Sequence, residues 1–185
     1  MNPNLPTDRL VFILSGLSGA GKTYMAEKKV AVNANHGVKT TRISTNDWFR
    51  RPDGSWKFDP ELLPEYHELA FADYVAALDV ADPVVIVDNT NIFQKHRRPY
   101  EQEAAARRYT CVNVVVGMFD PDFVSFCAAR TQHGVDLAYI GLMARKYELP
   151  ATSWTGDVLR VTREECGWTP DWRKSSKFLS TEGGV

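Results

Sequence analysis

The sequence predicts a three-layer α/β domain, with a mainly parallel five-stranded sheet flanked by helices on both faces. Three observations carry this. Short apolar runs recur at 9–15, 84–87 and 111–119, as expected of strands covered on both sides. Segments with helical spacing lie between them, so strands and helices alternate along the chain, the pattern of a parallel sheet built from crossovers. The richest polar stretches, 16–23, 44–51 and 88–91, each follow a strand, where open α/β sheets bind ligands.

Residues 1–8 (MNPNLPTD) are polar and carry two prolines, and read as a loose lead-in. The first strand is 9–15 (RLVFILS), and a helix follows over 22–35 with Gly37 as its stop. Residues 38–44 alternate as a second strand, and 51–60 (RPDGSWKFDP) form a turn-rich loop with two aromatics. Apolar positions Leu62, Leu63, Tyr66, Leu69, Ala70, Val75 and Leu78 predict a helix over 60–80.

The third strand, 84–87, runs into Asp88-Asn89-Thr90-Asn91. Residues 94–109 form a charged helix whose Arg97-Arg98 and Arg107-Arg108 predict a solvated face. The fourth strand is 111–119, and a helix with proline in its first turn spans 121–130. Gln132-His133-Gly134 interrupts before a helix over 136–148, and 157–162 supplies a fifth strand. One domain therefore covers 9–165, and the aperiodic 166–185 is expected to be loosely ordered.

Composition limits the function classes. With 185 residues, 44% hydrophobic and 24% charged, the chain suits one ordinary globular domain. A net charge of −1 gives no global positive field, so any nucleic-acid contact must come from local clusters. Three cysteines without CxxC spacing argue against a disulfide framework or zinc site and suit a reducing compartment. The first apolar run is too short for a signal-peptide core or a membrane span, so the expectation is a cytoplasmic protein without membrane contact. No feature marks a protein partner.

Gly16, Leu17, Ser18, Gly19, Ala20, Gly21, Lys22 and Thr23 match GxxxxGK[ST] at every required position. Glycines let the backbone wrap phosphates and aim its N–H groups inward. Lys22 is then the contact to the outer phosphates of ATP, and the Thr23 hydroxyl a ligand of Mg²⁺. The simpler reading is a glycine-rich turn before a helix.

Asp88 closes an apolar strand and is the second candidate for Mg²⁺, against the alternative of a turn cap. Asn89, Thr90 and Asn91 are placed either to bind substrate or to position the loop. Asp47, just past the second strand, is the candidate base for an acceptor hydroxyl, or a helix cap. Arg50 and Arg51 are candidates for a substrate phosphate, or a solvated pair. Arg130, before the break at 134, is the candidate arginine of a lid over about 130–146, to meet charge on a transferring phosphoryl group. Trp48, Trp56 and Phe58 either stack on a base or pack.

GLSGAGKT, STNDWF, VIVDNTN, RRPYEQEAAARRY and RTQHGVDLAYIGLMARKYE, in this order and spacing over about 9–149, resemble the kinase domain of polynucleotide 5′-hydroxyl kinases and the NEDD4-binding-protein-2-like ATPases. The resemblance implies a P-loop kinase fold with a five-stranded parallel core, ATP and Mg²⁺. It also implies transfer of the γ-phosphate to a nucleic-acid hydroxyl, with DNA as the expected polymer. Two positions depart from the pattern. Relatives usually carry Asp-Asp where this chain has Asn46-Asp47, and an asparagine amide accepts no proton at neutral pH. The phage-type lid arginine aligns with His133, which leaves that work to Arg130 or another arginine.

A free-standing kinase of this size also resembles phage enzymes that phosphorylate 5-hydroxymethyluracil in DNA. The competing expectations are a small-metabolite or nucleoside kinase, which the near-neutral charge suits, and a P-loop ATPase module without transfer, which Asn46 suits.

Overall fold

Short runs of apolar, largely β-branched residues set the sheet. In a computed structural model, which describes residues 9–131 and 134–150 and the strand backbone of 158–161, five parallel strands form. They are β1 (Leu10–Ser15), β2 (Thr40–Ile43), β3 (Val84–Asp88), β4 (Thr110–Val116) and β5 (Val158–Val161). Their order is β2-β3-β1-β4-β5. β1 is central, with Leu14 opposite both Asp88 and Val114. The expected lead-in 1–8 and tail 166–185 lie outside the described residues.

Helices α1 (Lys22–Asn35), α2 (Leu63–Asp79), α3 (Gln94–Ala106), α4 (Pro121–Arg130) and α5 (Leu137–Arg145) cover the sheet. Successive strand side chains point to opposite faces, so β3 feeds two cores. Val84 and Ile86 pack with Ala26 of α1, Phe123 and Phe126 of α4, and Ile140 of α5. Val85 and Val87 pack with Ala70, Tyr74 and Leu78 of α2 and Tyr100 of α3. This is the three-layer arrangement that the sequence predicts.

Local chemistry sets the helix ends. Asp120 and Asp136 cap α4 and α5 by accepting from the amides of Phe123 and Tyr139, which satisfies N–H groups that have no partner within a helix. α2 starts at Leu63 and not at 60, because Leu62 and Leu63 donate back to the carbonyls of Asp59 and Pro60 in a turn. No helix among the described residues is long and apolar enough to cross a membrane.

One expectation is corrected here. Arg97 does not lie on a solvated face; it is fully buried on α3. It donates to the carbonyls of Asn91 (2.6 Å) and Glu148 (2.7 Å), and its guanidinium lies 5.9 Å from the centre of the Tyr147 ring. Burial lowers its pKa from the ordinary value, against opposing carboxylate and phenol charges. Its partners are backbone carbonyls remote in sequence, which a helical pattern does not reveal.

Candidate active site

The glycine-rich loop leaves the carboxyl end of β1 and enters α1 directly at Lys22. Gly16 (φ 152°) and Gly19 (φ 81°) hold backbone that a side chain would obstruct. A Cβ at Gly16 would lie 2.7 Å from the Val116 carbonyl oxygen, and one at Gly19 2.1 Å from that of Cys127 on α4. The glycines are therefore required by neighbouring backbone as well as by φ. Leu17 and Ala20 turn inward and are fully buried.

Lys22 is only 8% exposed. Its Nζ donates to the carbonyls of Gly16 (3.1 Å) and Leu17 (2.7 Å), which holds the ammonium inside the curve of its own loop. Thr23 follows in the first turn of α1 and is exposed. Oriented N–H groups and the positive end of α1 make this curve an anion cradle.

The segment after β3 braces the loop. The Gly16 amide donates to Thr90 O (2.9 Å), and Asn91 Nδ2 donates to Leu14 O (2.8 Å). Asn91 is buried at φ 44°, with its own carbonyl held by Arg97. Its amide nitrogen is thus engaged with the strand beneath the loop, a contact that suits the positioning role. Asn89 is also buried, and its Oδ1 accepts from the Thr45 amide (3.0 Å). Together with Ser44 Oγ donating to Asp88 O (3.0 Å), this contact joins the ends of β2 and β3.

A 3-10 helix over Thr45–Phe49 follows β2, within the polar stretch 44–51. It presents Asp47 at the surface, within the helix and not at its cap. The residue that sequence reasoning missed is Arg42. Its Nη2 donates to both oxygens of Asp47 (2.9 and 2.7 Å), and its Nη1 donates to Asp88 Oδ2 (2.9 Å). One planar guanidinium thus spans the candidate base and the candidate metal acid. Burial acts to lower the Arg42 pKa, but hydrogen bonds and charge from Asp47 and Asp88 outweigh it, and the pKa is raised. The signal in the sequence was partial: an arginine inside TTRI, a short parallel strand, needs polar partners when its neighbours are covered, but nothing local names Asp47 and Asp88.

The candidate lid meets the loop from the other side. Ser18 Oγ lies 3.3 Å from Thr131 Oγ1, and Cys127 O backs Gly19. Arg130 ends α4 with its guanidinium 4.7 Å from the centre of the Phe126 ring. Ser15 Oγ and Tyr147 OH are 2.6 Å apart, which ties the chain after α5 to the root of the loop. His133 lies outside the described residues. Arg50 is exposed, and its Nη1 donates to Gly54 O (3.4 Å) within the next turn.

The donor set suits Mg²⁺. Magnesium uses one or two protein carboxylates and completes its shell with water and substrate phosphates. One hydroxyl (Thr23) and one almost fully buried carboxylate (Asp88) at the loop fit that demand. Among the described residues no cluster of three or more His, Cys, Asp or Glu could hold a metal by itself.

Comparison with known proteins gives a family and a fold. Residues 11–150 match the AAA domain family. NEDD4-binding protein 2 of Homo sapiens is 27% identical over 144 residues, which is 75% of this chain and 8% of that protein; this chain thus spans a small part of its relative. Among solved structures, Chaetomium thermophilum Kti12 in complex with ADP-AlF3 superposes with a TM-score of 0.58 at 18% identity, covering 94% of this chain and all of the other. Mycobacterium tuberculosis APS kinase CysC with AMPPNP and APS gives 0.56 at 18%, covering 92% and 100%. A gluconokinase from Sinorhizobium meliloti 1021 gives 0.52 at 15%, covering 95% and 98%. These neighbours share the fold.

Proposed function

From the premise that this chain belongs to the AAA domain family, with the α/β fold of P-loop kinases, we propose that it is an ATP-dependent phosphotransferase acting on a nucleic-acid hydroxyl. One observation carries the reading: Arg42 joins Asp47 to Asp88 beside a complete phosphate-binding loop. A carboxylate fixed next to a phosphate cradle is what alcohol phosphorylation needs, since that chemistry rests mainly on positioning and charge. The resemblance to polynucleotide 5′-hydroxyl kinases that the five motifs carry favours nucleic acid as acceptor, either a 5′ end or a hydroxymethylated base in DNA.

Residue by residue, the loop amides and Lys22 hold the ATP phosphates, and Asp47 orients the acceptor hydroxyl and takes its proton. Arg130 approaches from α4 to meet charge on the moving phosphoryl group. Thr23 and Asp88 would hold Mg²⁺, which neutralises phosphate charge when bound. Asn89 supports this side of the site by fixing Thr45, and Arg50 stands at its rim as a candidate for an acceptor phosphate.

Labelled ATP offered with a 5′-hydroxyl oligonucleotide, a hydroxymethyluracil duplex, free nucleosides and gluconate tests the reading. Label on either polymer supports it. Label only on a small acceptor replaces it with a metabolite kinase, which the net charge of −1 would suit. ATP hydrolysis with no labelled acceptor replaces it with a non-transferring ATPase.

Arg42 supplies a prediction. Arg42→Ala leaves the buried Asp88 carboxylate without its guanidinium, and breaking such a pair costs on the order of 3 kcal/mol. The melting midpoint should fall by roughly 5–10 °C, and transfer should fall at least about tenfold as Asp47 loses its orientation. Arg42→Lys should recover only part, because an ammonium cannot span two carboxylates as a planar fork does. Thermal unfolding and initial rates measure both effects; an unchanged rate in Arg42→Ala would show that the bridge has no part in transfer.

A further inference from the structure

The aromatic side chains at the end of the 3-10 helix and just after it are not used by the chemistry above. Phe49 is buried, and around it lie the rings of Trp56 (centroids 6.0 Å apart), Phe58 (5.1 Å) and Tyr66 (4.7 Å). Trp48 stands 6.2 Å from Tyr66. Trp48 and Phe58 nevertheless stay 39% and 45% exposed. Single exposed apolar residues need no explanation, whereas large rings grouped around one buried anchor form a patch that marks a contact site.

This patch is held in shape by its own hydrogen bonds. Arg50 and Trp56 form an antiparallel bridge, and the amides of Arg51 and Lys57 donate to Ser55 O (2.7 Å) and Phe49 O (3.1 Å). The Trp56 and Phe58 rings are within 12° of parallel, with centroids 6.1 Å apart. Trp56 Nε1 donates to Asn46 O (3.2 Å), which fixes the cluster to the residue beside Asp47. Arg50, Arg51 and Lys57 are exposed in the same segment. Of its two acids, Asp53 accepts from Ser55 and Asp59 accepts from the Glu61 amide. Both acids keep their charge, so Arg50, Arg51 and Lys57 outnumber Asp53 and Asp59 by one, and the three cations stand exposed around the rings.

We infer that Trp48, Trp56 and Phe58, backed by Phe49, form a stacking platform for an unpaired base of the acceptor strand, with Arg50, Arg51 and Lys57 meeting the flanking phosphates. The inference rests on the phosphotransferase reading and narrows its acceptor to single-stranded or locally opened nucleic acid. Aromatic faces accept any base, and neighbouring cations follow the backbone, a combination that binds strands with little sequence preference. Bases within a duplex present no free face and must first be turned out.

The test compares the full chain binding two fluorescently labelled 5′-hydroxyl single strands of equal length, one with bases and one a bare sugar–phosphate chain. The base-bearing strand should bind about tenfold tighter or better, as expected for removal of stacking. Phe58→Ala should weaken binding of that strand about tenfold, and Phe58→Leu should do the same, since leucine keeps apolar bulk but has no ring face. Equal affinity for the two strands, or full binding by Phe58→Leu, overturns the platform. Phosphoryl transfer measured alongside separates the two claims. Transfer with equal strand affinity removes the platform alone, while base-selective binding with no transfer to any acceptor removes the phosphotransferase and leaves the platform standing.

Discussion

Lys22→Ala is expected to lower phosphoryl transfer by about 10²–10³ or more, the loss typical of removing one preorganised charge donor from a transition state. The side chain is nearly buried and its ammonium sits on the Gly16 and Leu17 carbonyls. It is therefore held within the cradle before any phosphate arrives, and the cost of ordering a flexible lysine is already met by the fold. Alanine removes this charge and also the lysine donor from two loop carbonyls, of which Leu17 O keeps the Ala20 amide (3.2 Å). Two measurements separate these effects. ATP affinity reports the cradle, and the single-turnover rate at saturating ATP reports charge stabilisation at the reacting group. Lys22→Met keeps the stem without the ammonium and should be nearly as impaired as alanine. A Lys22→Ala protein that bound ATP and transferred phosphate at the normal rate would remove the basis of the assignment.

Asp47→Asn should slow transfer by about 10²–10⁴, the range for loss of a positioned base. The substitution is nearly isosteric, and its amide oxygen still accepts from Arg42, so the geometry is largely kept while the proton acceptor is lost. The fall should appear in kcat at saturating substrates, with KM for ATP little changed. Asn46 offers a second arm. It is exposed beside Asp47, and its carbonyl is held by Trp56. If the first of the paired positions is the working one, Asn46→Asp in the Asp47→Asn background should restore transfer. If Asp47 alone has the right placement, the double variant should stay slow. Full activity in Asp47→Asn would remove the base assignment.

The parts of this molecule legible in the sequence are those whose causes are local. Buried parallel strands announce themselves as apolar runs, and the phosphate loop has a motif because its glycines, lysine and threonine act within eight consecutive residues. The Arg42 bridge was not legible, since it couples residues 42, 47 and 88 and exists only once β2 and β3 lie side by side. Arg97 was misread for a similar reason: helical spacing placed it among charged neighbours, whereas its actual partners are carbonyls at 91 and 148. The 3-10 helix was too short for periodicity to show it. Asn91 illustrates a subtler limit, because an amide after a strand suits a substrate or a backbone carbonyl equally well until the strand's neighbour is known.

The central place of β1 also has a consequence for synthesis. Its flanking strands lie at 84–88 and 110–115, far downstream of residues 10–15. Once β1 leaves the ribosome it therefore waits with both edges bare for about seventy further residues, and with one edge bare until about a hundred have followed. Contacts so distant in sequence form slowly. A nascent chain stalled near residue 105 should be cut readily by protease around the phosphate loop, whereas one extended well past residue 150 should resist. A chaperone that shelters bare strand edges would then act chiefly within that interval.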